Sequence, residues 1–178
     1  GKIRVAARSR LRRNRHDVGR EPGSPPEPLE LPAPRRDVAE LSAVLPKTRA
    51  ATSRRDGRRI IAIGSSTGGP EALHRVVGQF PATVPCVVIA QHIPAGFSRA
   101  LANRLDQTAH IQIKEAVDGE PLRDGCGYVA PGGRHLAVEG RDGGYFARVF
   151  DAAAVNYSKP SVDVLFRSVA QSAGGLAV

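Results

Sequence analysis

The chain has 178 residues, a formal net charge of +9 and an aromatic content of 4%, with no tryptophan. Its two cysteines, Cys86 and Cys126, fall outside any C-x-x-C spacing, so buried free thiols are expected rather than a disulfide framework. The arginine-rich start has no apolar core; neither a signal peptide nor membrane insertion is expected, and a cytoplasmic protein is.

The basic excess belongs to one segment. Sixteen of the 26 Lys and Arg lie in residues 1–59, beside seven of the 17 Asp and Glu, whereas residues 60–178 are neutral. The same segment carries seven of the 14 prolines, clustered over Pro22–Pro28 and Pro32–Pro34. Few apolar residues among many charges and prolines cannot bury enough surface to offset ordering entropy. A disordered linker over residues 1–58 is therefore expected, with helix within Lys2–Arg15. Arginine clusters bind phosphate, but no aromatic residue occurs before Ile60 to stack on a base. That composition fits weak polyanion contact and no specific nucleic-acid function.

From residue 60 onward, short apolar runs alternate with helical patterns, the signature of parallel strands in an α/β sheet. Ile60–Ile63 runs into Gly64-Ser65-Ser66-Thr67-Gly68-Gly69-Pro70, a G-x-S-x-G spacing at a strand-to-helix turn. Pro70 suits the first helical position, and a helix is expected over Glu71–Phe80 with Leu73, Val76, Val77 and Phe80 on one face. Its free N–H groups would face the turn, where they can stabilise an oxyanion or cradle a phosphate. Val84–Ala90 is the second strand and runs into Gln91-His92-Ile93-Pro94. Carboxyl ends of parallel strands face one crevice, so Ser66 and His92 can meet, with the imidazole as base for the hydroxyl.

Further along, Ser98–Leu105 fits a helix with Leu101 and Leu105 inward, and Ile111–Lys114 a third strand. Gly127–Ala130, the turn Pro131–Gly133 and Arg134–Val138 read as a β-hairpin, with a further strand over Tyr145–Phe150. Ser161–Ala173 reads as a helix with the stripe Val162, Leu165, Phe166 and Val169. Asp163 falls near its start. His135, on a hairpin strand, is expected to be structural. The fold class is α/β: a doubly wound, mostly parallel, Rossmann-like sheet of order 3-2-1-4-5 with a small β-hairpin excursion. No cofactor or metal is expected.

Four blocks, GSSTGG, AQHIPAGFSRALANRL, KEAVDGEPLRDGCGYVAPGGRHL and NYSKPSVDVLFRSVA, occur in this order within residues 59–178. Together they resemble the catalytic domain of the bacterial chemotaxis protein-glutamate methylesterases, the CheB family. The resemblance implies a hydrolase that cleaves glutamate γ-methyl esters on chemoreceptor helices, releasing methanol, with glutamine deamidation as a side activity. Matched motif to motif, it makes Ser66 the nucleophile, places Thr67 beside it in the active site and makes His92 the general base. Ser65 receives no chemistry. The family's third catalytic residue, an aspartate, falls in a glycine-rich segment beyond Val178. Residues 59–178 are then expected to be the N-terminal part of the catalytic domain, truncated before that aspartate and impaired as given. The resemblance also places a receiver domain before the linker, through which a histidine kinase would act. It puts Ala130–Gly133 and Asn156–Pro160 near the cleft as candidates for receptor contact. Two alternatives remain open on the residues alone. One is a nucleotide-binding α/β domain, although G-x-G-x-x-G fails at Ser66 and no Walker lysine follows. The other is a non-catalytic interaction fragment.

Overall fold

The computed structural model describes Leu45 and residues 58–178. The linker expected over residues 1–58 otherwise lies outside the described residues. β1 (Ile60–Ser65) is followed by α1 (Gly69–Val77), β2 (Cys86–Gln91), α2 (Ser98–Asp106) and β3 (Gln112–Glu115). Then come β4 (Pro121–Leu122), β5 (Cys126–Val129), β6 (His135–Arg141), β7 (Gly144–Phe150) and α3 (Val162–Ala173). One sheet is wholly parallel, in the order β1-β2-β5-β3; a second is antiparallel, in the order β4-β7-β6.

β2 is buried at all six positions, and its side chains alternate between two cores. Val87 and Ile89 join Leu73 and Val77 of α1, Leu101 and Leu105 of α2, and Ile113. Val88 and Ala90 join Leu136 and Val138 of β6 with Leu165 and Val169 of α3. A strand covered on both faces in this way reads as a continuous apolar run. Burying Leu73 and Val77 stabilises α1 by about 1.5–3 kcal/mol each, enough to hold a nine-residue helix that is marginal alone. Beyond α3, Ala177 pairs in parallel with Ile60, and Val178 exchanges hydrogen bonds with the Ile60 carbonyl (2.9 Å) and the Ala62 amide (3.0 Å). Leu45 is buried against Ala137, Val155 and Val164. Among the described residues no helix is long and apolar enough to cross a membrane.

The doubly wound parallel class holds, but its strand order differs from the expected 3-2-1. β5 lies between β2 and β3. Gly127, Tyr128 and Val129 of β5 are buried and suit an inner strand, whereas Gln112 and Lys114 of β3 are exposed and suit an edge. The hairpin also differs. Pro131–Gly133 hands the chain from one sheet to the other, and the hairpin is β6–β7, turning at Asp142-Gly143 with φ of +52 and +75. Asp-Gly is the dipeptide that a two-residue turn with two left-handed residues favours.

Two helix faces are corrected as well. α1 starts at Gly69 and stops at Val77, leaving Val76 45% exposed. On α3 the buried set includes Val164 and Ser168, and Phe166 is 44% exposed. Ser168 goes inward because its hydroxyl serves the Val138 amide (2.9 Å) and donates to the Leu165 carbonyl (2.7 Å).

Candidate active site

The β1–β2 register builds the site. Ser65 pairs with Gln91 as the last rung, and the His92 amide donates to the Ser65 carbonyl at 2.9 Å. The next residue on each chain is therefore Ser66 on one side and His92 on the other. Ser66 leaves the strand into a turn closed by the Gly69 amide on its carbonyl (2.7 Å). The left-handed residue of that turn is Gly68 (φ +76); Ser66 itself has no positive φ, so the strained nucleophile elbow of G-x-S-x-G is not formed.

Both side chains are exposed, and His92 Nδ1 lies 3.2 Å from Ser66 Oγ. For the neutral ring to accept there, its proton must sit on Nε2, which is turned away from Ser66. A second hydroxyl, Ser158 Oγ, lies 3.5 Å from the same Nδ1 and donates to the Asn156 carbonyl (3.4 Å). No carboxylate among the described residues hydrogen-bonds the His92 ring. Thr67 sits next to Ser66 in the turn, exposed. The Gly69 N–H is already committed and Pro70 has none, so two of the helix-start donors expected for an oxyanion are not available.

Gln91, only 3% exposed, holds this arrangement from beneath. Its Nε2 donates to the carbonyls of Ser66 (2.9 Å) and His92 (3.0 Å), while Oε1 accepts from Ser65 Oγ (2.7 Å). Gly69 is required beside it, since a methyl there would overlap Gln91 Oε1. Sequence reasoning missed Gln91; its one signal was a polar residue closing an apolar run.

The loop that brings Ser158 to the site hangs on His135, which is fully buried. His135 Nδ1 accepts from the Ser161 amide (3.3 Å), so Nε2 carries the proton and donates to the Ala153 carbonyl (2.9 Å). Burial chiefly pushes this imidazole's pKa below its ordinary value. Lys159 ties the loop to Asp151 (2.6 Å) and to the Ala152 carbonyl (3.0 Å), and the Gly133 amide donates to the Lys159 carbonyl (3.3 Å). Asp163, in the first turn of α3, accepts from Asn156 (2.8 Å). The structure thus brings Ser66, His92 and the Asn156–Pro160 loop together, and leaves His135 and Asp163 as supports.

A family model described as CheB methylesterase matches residues 61–178. A protein of Hydrogenovibrio crunogenus named protein-glutamate methylesterase/protein-glutamine glutaminase is 43% identical over 136 residues, covering 76% of this chain and 36% of that protein. One of the same name from Chromohalobacter salexigens is 42% identical over 176 residues, covering 99% of this chain and 43% of the relative. The chain thus spans well under half the length of these relatives. The catalytic domain of the Thermotoga maritima CheB methylesterase is similar in structure, with a TM-score of 0.65 and 37% identity over 67% of this chain and 64% of that one.

Proposed function

The chain belongs to the CheB methylesterase family, and we propose on that premise that it serves hydrolysis of glutamate γ-methyl esters on chemoreceptor helices. Ser66 is the nucleophile and His92 the general base. The observation that carries the assignment is the 3.2 Å approach of Ser66 Oγ to His92 Nδ1 at the ends of paired parallel strands. Ser66 Oγ attacks the γ-carbonyl carbon as its proton passes to Nδ1, giving a tetrahedral oxyanion. That intermediate collapses, the C–O bond to the methoxy group breaks, and methanol leaves with the proton from Nδ1. A water then attacks the acyl-serine, giving one proton to Nδ1; the bond to Ser66 Oγ breaks, Nδ1 returns that proton to Ser66, and the γ-carboxylic acid leaves and gives its remaining proton to solvent. The amides of the turn, those of Thr67 and Gly68 among them, would receive the oxyanion, and Thr67 lines the site. Any carboxylate that orients His92 must approach Nε2.

The same route with ammonia as the leaving group deamidates glutamine, the second activity in the relatives' names. Residues 1–58 we read as a basic, proline-rich linker and 59–178 as part of the catalytic domain. The charge step at residue 60 and the start of the family match at residue 61 support that division.

A fluorophosphonate probe is expected to label the intact natural protein at Ser66, with methanol released from methylated chemoreceptor. Ser66→Ala is expected to lose both, since removing the nucleophile leaves only the oxyanion site and binding. Labelling at Ser65, or near-normal methanol release by Ser66→Ala, would overturn the assignment.

A further inference from the structure

Asn156 and Tyr157 are consecutive non-glycine residues in the left-handed region, with φ of +49 and +60. A bulky side chain adopts that backbone only where its surroundings impose it, and such strain collects at functional sites. The surroundings here do impose it. Val155 and Ser158 pair across the turn by two backbone hydrogen bonds, at 3.0 and 3.2 Å. The Asn156 side chain is held by Asp163, Val155 is buried beside Leu45 and Val164, and His135 grips the loop on both sides at Ala153 and Ser161.

Tyr157 is the exception. Its ring is fully exposed and makes no contact within the described chain that would offset the strain of its backbone. Glycine at 157 would relax the turn and remove an exposed aromatic ring, so folding alone does not favour tyrosine there. The location supplies a reason. Ser158 follows it directly, about 3.8 Å away between Cα atoms, and reaches to 3.5 Å from His92 Nδ1. A substrate helix is about 10–12 Å across with its side chains. It is too wide to follow its own ester into the turn at Ser66, so its body stays on the surface around the site, which the loop of Tyr157 and Ser158 borders at His92.

We infer that Tyr157 is a specificity-determining contact for the polypeptide carrying the ester, an inference that rests on the hydrolase reading above. An exposed tyrosine suits this role: it offers a large amphipathic surface and loses little rotamer freedom on binding. Tyr157 binds the helix and takes no part in the bond-making at Ser66.

The test uses the intact natural protein with two substrates, methylated chemoreceptor and p-nitrophenyl acetate, which has no polypeptide to dock. Tyr157→Ala is expected to raise KM for the receptor about tenfold, the size of a modest interface contact. Receptor kcat and turnover of the small ester should stay as in the wild type. Tyr157→Phe should keep receptor KM close to wild type. Tyr157→Gly should show the same KM rise as the alanine variant with a melting temperature equal to or above wild type, which separates docking from misfolding. Unchanged receptor KM in the alanine and glycine variants, or equal losses on both substrates, would overturn the inference while leaving the hydrolase reading intact. A wild-type protein that cleaves the small ester but releases no methanol from receptor would overturn that reading, and the docking role with it.

Discussion

Gln91 holds the backbone of Ser66 from below: its buried side-chain amide donates to the Ser66 carbonyl at 2.9 Å. The same nitrogen serves the His92 carbonyl at 3.0 Å, so one side chain spaces the two residues of the candidate site. It fixes backbones rather than reacting groups, and this makes its contribution separable from chemistry.

Gln91→Ala is expected to cost about 1 kcal/mol by removing a donor from the His92 carbonyl and one of two donors from the Ser66 carbonyl, and to slow ester hydrolysis by misplacing Ser66 against His92. Gly69→Ala pushes a methyl onto Gln91 Oε1 in the wild type but not once that oxygen is gone. A double-mutant cycle read by urea unfolding should therefore show Gly69→Ala destabilising the wild type more than it destabilises Gln91→Ala. Additive effects would mean that the overlap is relieved elsewhere.

His135 gives the fold a pH dependence of known sign. Burial lowers its pKa in the folded protein, so the unfolded chain binds the proton more readily. Stability is then full above the ordinary imidazole range, about pH 6.5, and is lost as the pH falls through and below it. Protonation would also set a new N–H against the Ser161 amide that Nδ1 now accepts. His135→Phe should lower stability at pH 8 but flatten its decline between pH 8 and 5, measured by denaturant midpoints. An unaltered pH slope in the variant would assign the decline to other groups.

The thiols should differ in reactivity. Cys86 is buried, and burial, reinforced by Asp124, pushes its pKa up to about 12. The thiolate is the reactive form, so iodoacetamide at pH 8 should leave Cys86 untouched in the folded protein. Cys126 is half-buried and should be alkylated first. Peptide mass spectrometry reads the order, and early labelling of Cys86 would show that β2 opens locally.

Leu45 touches the wall behind the strained turn, since it packs on Val155 and Val164. Leu45→Ala is expected to cost about 2–3 kcal/mol as a buried leucine truncation. Deuterium uptake at the Val155 and Ser158 amides should rise with it. Loss of stability with unchanged uptake there would place the effect of Leu45 elsewhere.

Much of the site was legible because it depends on local order. Two apolar runs ending in Gly64–Pro70 and Gln91–Pro94 required only that the strands lie side by side for Ser66 to face His92. Strand order was not legible in the same way: β5 and β3 are equally short, and their ranking follows from which faces the second sheet and the helices cover. The α3 sequence carries two overlapping apolar stripes, through Phe166 or through Val164, and the choice goes with Ser168, whose hydroxyl takes the Val138 amide. Ser158 was legible only through the family resemblance, which put its loop near the cleft; its approach to His92 depends on loop bonds to His135 and Lys159 that carry no periodicity.

The bridge between Ile60 and Ala177 also has a consequence in time. Among the described strands β1 is the first to leave the ribosome, yet its outer neighbour is more than a hundred residues downstream. At about 5–20 residues per second, synthesis leaves that edge open for on the order of ten seconds. Meanwhile β2 and β5 can already pair on the inner side, so a nascent chain carries a half-built sheet with one bare rim. Slower elongation would lengthen that interval and crowding would raise the chance that another nascent chain fills it. Yield of soluble protein should therefore respond to expression rate and to chaperone supply more than to the stability of the finished fold.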